Sequence, residues 1–171
     1  MSQRRDLVIL GGGLVGMTLA LAAARQGITS HVVDKARPED LTAEGIDGRA
    51  SAISTASWNL FCNIGLEERL APLGCPIEAI AVTDQMRPGR IDFRPQPHEG
   101  TLGRMYANRD IRLALFEAAK NEPLIDWRVK REAVFCREWY ELRRIGSKDR
   151  EMVQNSSATH STRFVLIRFN Q

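Results

Sequence analysis

The sequence predicts an α/β fold whose N-terminal unit is a strand, a glycine turn, a helix and a second strand. Three observations predict it. Leu7-Val8-Ile9-Leu10, within a strand expected over residues 6–10, runs straight into Gly11-Gly12-Gly13-Leu14-Val15-Gly16, a G-x-G-x-x-G turn. The turn opens residues 14–26, an Ala-rich segment apolar nearly all round, as a helix buried against a sheet is. A second apolar strand, residues 28–34, then ends on Asp34, eighteen residues after Gly16. Together these parts form a Rossmann-like, dinucleotide-binding βαβ unit.

Each part has a physical task. Gly11 permits the tight turn, Gly13 lets the backbone approach a pyrophosphate, and Gly16 lets the helix lie close to the strand. The helix N-terminus presents unpaired N–H groups and a partial positive charge to phosphate. Asp34 is placed to accept hydrogen bonds from a ribose diol, and Leu14, Val15 and Lys35 flank the same turn as further cofactor-binding candidates.

Beyond this unit, residues 37–40 and 45–48 read as loops. Residues 51–64 read as a helix with Ile53, Ala56, Leu60 and Ile64 on one stripe, stopped by Gly65. A short helix follows over 66–73. Strands are expected over 77–83 and 90–94 about a Pro88-Gly89 turn, then a Pro/Gly-rich loop over 95–103. Residues 108–121 make an amphipathic helix, with Ile111, Leu115, Ala118 and Ala119 inward and Asp110, Arg112, Glu117 and Lys120 outward. Residues 124–129 return as a third core strand. After that the periodicity degrades, so the chain divides into residues 1–129 and an atypical tail, 130–171. The tail is expected to be poorly ordered or a small hairpin, with one strand over 161–169.

At 171 residues and 43% apolar content the chain is one domain, or one domain and a tail, with enough apolar matter for a core. The formal charge of +3 is unevenly placed: residues 1–127 hold 14 Lys+Arg against 16 Asp+Glu, and residues 128–171 hold 10 against 5. The basicity therefore belongs to the tail, and no nucleic-acid module accompanies it. Cys62, Cys75 and Cys136 lack C-x-x-C spacing, which argues against a disulfide framework or a metal site and fits a reducing compartment. Arg4-Arg5 and the apolar run after it imitate an export signal, but Asp6 and three glycines interrupt the run. A cytoplasmic protein without a membrane-spanning helix is expected.

Two further motifs bear on chemistry. Asp47-Gly48-Arg49-Ala50-Ser51-Ala52-Ile53-Ser54 places Arg49 at an expected helix start, where it is either a second charge for a diphosphate or a solvated loop arginine. Asn108-Arg109-Asp110-Ile111 opens the amphipathic helix, and Asn108 as N-cap explains itself without any ligand. His31, His98 and His160 are scattered, so core or loop roles fit them better than catalysis.

In this order and spacing, Gly11-x-Gly13-x-x-Gly16-x-x-x-Ala20, Asp34, Asp47-x-Arg49-x-x-Ala52-Ile53 and Asn108-Arg109-Asp110-Ile111-x-x-x-Leu115 resemble the FAD-dependent aromatic hydroxylases of the para-hydroxybenzoate hydroxylase type. The branch that hydroxylates the ubiquinone precursor ring is the most similar, over about residues 5–129, although it often has an acid where this chain has Ala107. The resemblance implies that Gly11, Gly13 and Gly16 cradle the FAD diphosphate and that Asp34 holds the adenosine ribose. It implies that Arg49 meets the diphosphate or an incoming nicotinamide cofactor, and that Asn108 lies against the ribityl chain. NAD(P)H would be the reductant, O₂ the oxygen source, and a small aromatic or prenylated phenol the substrate. The protein's share is to orient the ring and exclude water. Peripheral contact with the inner membrane or a ubiquinone-biosynthesis complex follows from the same resemblance; a metal and nucleic acid do not.

Relatives also carry a D-G and later a G-D motif touching FAD, and neither follows Asn108 here. The expectation is a truncated form, testable by reading the downstream DNA in the other frames. Two alternatives stay open: an inactive fragment that binds nucleotide weakly, or a stand-alone NAD-binding protein of dehydrogenase type.

Overall fold

The computed structural model of the chain describes residues 5–43, 48–83, 89–96, 98, 100–135, 139–144, 150–154 and 167–168. Strand β1 (Leu7–Leu10) leads through the glycine turn into helix α1 (Leu14–Arg25), strand β2 (Ser30–Asp34) and the short helix α2 (Pro38–Thr42). Strand β3 (Ala50–Ser54), helices α3 (Thr55–Asn63) and α4 (Glu67–Leu70), and a 3-10 turn over Ala71–Leu73 come next. Strands β4 (Cys75–Ile77), β5 (Ile80–Thr83), β6 (Arg90–Phe93) and β7 (Gly103–Ala107) precede helix α5 (Asn108–Lys120) and strand β8 (Ile125–Val129). Then follow β9 (Arg131–Phe135), β10 (Trp139–Arg144), β11 (Arg150–Gln154) and β12 (Ile167–Arg168).

The main sheet has the order β12-β1-β2-β8 with every pair parallel. Parallel strands need crossover helices, and α1 and α5 supply them. Because side chains alternate along a strand, Leu7, Ile9, Val32, Ile125 and Trp127 share one face and pack into one core with Met17, Ala20 and Leu21 of α1 and Ile111, Leu115 and Phe116 of α5. Val8, His31 and Val33 are buried on the other face. Strand order reverses at β1, with β2 on one side and β12 on the other, and such a switch point opens a crevice at the carboxyl ends of the strands.

The expected strands at both ends of the βαβ unit, its helix, the amphipathic helix and the third core strand are all present, with bounds within two residues. Four expectations are corrected. Residues 38–42, read as loop, form a helix that starts on Pro38 at its first turn. The helix expected over 51–64 is a strand followed by a helix, because Ala50–Ser54 pair antiparallel with β7, a segment for which no strand was expected. The stripe counted Ile53 and Leu60, but Ile53 lies in β3 and Leu60 is 39% exposed, while Phe61 takes the core position. The strand expected over 77–83 is two strands, β4 pairing with β7 and β5 with β6. Arg112, placed outward, is buried, because it shares an i, i+4 row with Asn108 and Phe116. In the tail, β9, β10 and β11 form an antiparallel three-stranded sheet. The loop at 45–47, Pro88 of the turn, Cys136, residues 1–4 and the strand positions 161–166 and 169 lie outside the described residues.

Ser54, not a residue near 50, starts α3: its hydroxyl accepts the Ser57 N–H at 3.3 Å, capping one of the four N–H groups a helix start leaves unpaired. Ser54→Ala is expected to lower stability by about 1 kcal/mol, a fall of about 2–4 °C in thermal midpoint. A change at Glu117 in its exposed pair with Arg69 should shift that midpoint far less.

Candidate cofactor site

The glycine turn is bent where only glycine bends easily. Gly11 has φ +97°, and its N–H donates to the Val33 carbonyl at 2.8 Å, tying the turn to the end of β2. Gly16 lies on the inner face of α1, where a Cβ would overlap the Gly11 carbonyl oxygen and stand 3.2 Å from Ile9 Cγ2. Gly13, the N-cap of α1, has φ −74° and ψ −164°, angles open to other residues.

Met17 N–H donates to the Gly13 carbonyl at 3.0 Å as the first bond of α1, which leaves the earlier N–H groups without a helical acceptor. They point to the carboxyl edge of the sheet with the positive end of the helix dipole. Leu14 is half-buried beside them and Val15 is 57% exposed. Asp34 is buried at the end of β2 and spans the turn: Oδ2 accepts the Gly12 N–H at 2.5 Å and Oδ1 the Ala36 N–H at 2.8 Å. A carboxylate has about four lone-pair positions, so two remain for a diol. Lys35, next in sequence, is exposed.

The second cluster forms where β3 meets the start of α5. Arg49 precedes a strand instead of opening a helix, and its carbonyl accepts the Asn108 N–H at 3.0 Å. Asn108 is the first residue of α5 and not its N-cap, which is Ala107. Its carboxamide instead accepts the Ser51 hydroxyl at 2.5 Å. The fold thus brings Arg49 and Asn108 together, and adds Ser51, which sequence reasoning passed over. Residues 50–54 show no apolar alternation in sequence, so nothing there marked Ser51.

Both clusters lie at the same edge of the sheet. The Leu124 carbonyl accepts the Ser30 N–H at the amino ends of β2 and β8, so α5 begins at the opposite, carboxyl edge. Arg109 Nε donates to the Thr42 carbonyl at 2.9 Å, tying the start of α5 to α2, which follows Asp34. Two groups that could act as nucleophiles are shifted toward their neutral forms. Burial pushes the Cys62 thiol up, with Glu67 adding to the shift, and burial keeps Tyr106 a neutral phenol despite Arg104 beside it. Among the described residues no cluster of three His, Cys, Asp or Glu could hold a metal, and no helix is long and apolar enough to cross a membrane.

A family profile described as FAD binding domain matches residues 4–141. The chain belongs to that family. This FAD binding domain is 42% identical over 110 residues to ubiquinone hydroxylase UbiL of Rhodospirillum rubrum, covering 64% of the chain and 26% of the relative. It is 27% identical over 155 residues to 3-demethoxyubiquinol 3-hydroxylase of Escherichia coli, covering 90% of the chain and 40% of the relative. The chain thus spans well under half the length of these relatives. In fold it is similar to the flavin-dependent monooxygenase PieE, solved with FAD and substrate, at TM-score 0.66 and 16% identity over 90% of this chain and 29% of that one. FqzB is similar at TM-score 0.63 and 16% identity, over 85% and 33%.

Proposed function

We propose that this chain is the FAD-holding part of a flavin-dependent hydroxylase acting on a phenolic ubiquinone precursor, with NAD(P)H as reductant and O₂ as oxygen source. The observation that carries the reading is the joint presence, at one carboxyl edge, of the helix N-terminus at Gly13, the buried Asp34 carboxylate and the Asn108 carboxamide. FAD needs those donors and acceptors: amides for a diphosphate, a carboxylate for a ribose diol, and a polar group for the ribityl chain. The residues fit the group.

On this reading the N–H groups of Leu14, Val15 and Gly16 bind the diphosphate at the end of α1, and Gly11 and Gly13 keep its path clear. Asp34 accepts from the adenosine ribose, and Lys35 adds a positive charge at its rim. Arg49 lies on the diphosphate or nicotinamide side, and Asn108 contacts the ribityl chain. FAD, once bound, supplies the redox and oxygen-transfer chemistry. The partners proposed are a small aromatic or prenylated phenol and, at the periphery, the inner membrane or a ubiquinone-biosynthesis complex; the compartment is the cytoplasm.

Purified chain, reconstituted with FAD, is expected to be yellow with a band near about 450 nm, the flavin's own absorption. Consumption of NADPH on adding a phenolic substrate supports the full reading. Colourless protein with no such consumption sinks it. A second reading, nucleotide binding without turnover, is favoured by the completeness of the adenosine side, where the Gly13 helix end and Asp34 need no flavin. ADP-ribose binding as tight as FAD, without NADPH oxidation, would select it. The Arg49–Asn108 cluster speaks against a dehydrogenase of NAD type.

A further inference from the structure

We propose that Ser51 is a positioning residue for the cofactor: its hydroxyl tethers the Asn108 carboxamide and so holds the side chain where it meets the ligand. The inference rests on the flavin reading of the site. An asparagine presents an acceptor at one end and two donors at the other, and the two ends are nearly the same shape. A serine hydroxyl can donate to the one end or accept from the other, so it anchors the carboxamide by either end.

Here β3 holds the residue at two points. The Asn108 backbone N–H donates to the Arg49 carbonyl at 3.0 Å, and Oδ1 accepts the Ser51 hydroxyl at 2.5 Å. Oδ1 makes no capping bond to α5, whose N-cap is Ala107 without a side-chain bond, so the carboxamide is committed across to β3. Asn108 is 6% exposed, yet its Nδ2 is not among the sealed, unpartnered atoms, and among the described residues it donates to nothing. The carboxamide keeps hydrogen-bonding capacity beyond the Ser51 tether, which suits the ribityl hydroxyls.

Serine at 51 is placed for this by register. Ala50 is opposite Ala107 and Ser51 opposite Tyr106, so Ser51 lies one step along β3 from the pair that ends at α5. An alanine there would leave the carboxamide without its tether to β3 and free to leave the orientation that meets the ligand.

The test is a titration of the full chain with FAD and, separately, with ADP-ribose, which lacks the ribityl-flavin half. Ser51→Ala is expected to weaken FAD about 5–10-fold, the worth of one neutral hydrogen bond, while ADP-ribose affinity and thermal midpoint hold. Ser51→Thr keeps a hydroxyl and should restore FAD affinity and the absorption envelope of the bound flavin. In an Asn108→Ala background, Ser51→Ala should add no further loss. Equal weakening of FAD and ADP-ribose, or a fallen midpoint that threonine does not rescue, reduces Ser51 to structural support and overturns the inference. Wild-type affinity for FAD in Ser51→Ala overturns it alone. Unmutated chain that binds ADP-ribose but not FAD, or neither, overturns the flavin reading and the inference with it.

Discussion

Gly16→Ala is expected to destabilise the N-terminal unit strongly, whatever it does to binding. The added Cβ would overlap the carbonyl oxygen of Gly11 and stand 3.0 Å from its carbonyl carbon and 3.2 Å from Ile9 Cγ2. Backbone against backbone cannot relax by a rotamer change, so α1 must move off β1. That movement disturbs Met17, Ala20 and Leu21, which are all buried in the core that α1 shares with α5. Overpacking at such a contact costs about 3 kcal/mol or more, a fall of about 6–12 °C in thermal midpoint for a chain of this size. Circular dichroism against temperature checks it. A midpoint within about 2 °C of the parent, on the same scale, would show that α1 is not held as closely as described.

The sheet and its two crossover helices were readable because their patterns are local. Residues 7–10 are an apolar run bounded by glycine, Val32-Val33 run onto Asp34, and 108–120 repeats with helical period. Strands β3 and β7 were not readable, since each is short and its partner lies about fifty residues away. Ala50–Ser54 alternates half-buried and exposed positions, and with Ser51 and Ser54 as its polar members it offers no apolar face to count. Gly103–Ala107 follows a Pro/Gly-rich loop and drew no strand reading, though Tyr106 is wholly buried, stacked 6.0 Å from Trp58.

The same limit shaped the site. The glycine turn and Asp34 are consecutive parts of one βαβ unit, so sequence could place them. Arg49, Ser51 and Asn108 meet only through the β3–β7 pairing. Without that pairing Asn108 looks like a helix cap, and Arg49 looks like a charge at the start of a helix that does not begin until Thr55. Residue type pointed at the site; the long-range strand pair decided what each residue does there.

Asp34→Asn is expected to separate folding from binding, where Gly16→Ala does not. The carboxylate accepts two backbone N–H groups, from Gly12 and Ala36, and an amide keeps one acceptor oxygen and turns a donor toward the other N–H. The glycine turn then loses one of its ties to β2, but the Gly11 N–H bond to the Val33 carbonyl and the packing of α1 remain. Hydrogen bonds to a charged group contribute about 1.5–3 kcal/mol each, so losing the charge should weaken FAD and ADP-ribose alike by about 10–150-fold. Equal weakening is the informative feature, because both ligands carry the adenosine ribose, whereas Ser51→Ala should touch FAD alone. Isothermal titration of the folded variant checks both numbers. Affinity for either ligand unchanged from the parent would mean that the nucleotide does not lie across the end of β2, and the proposed path of the cofactor from Asp34 past Gly13 to Asn108 would fail at its first contact.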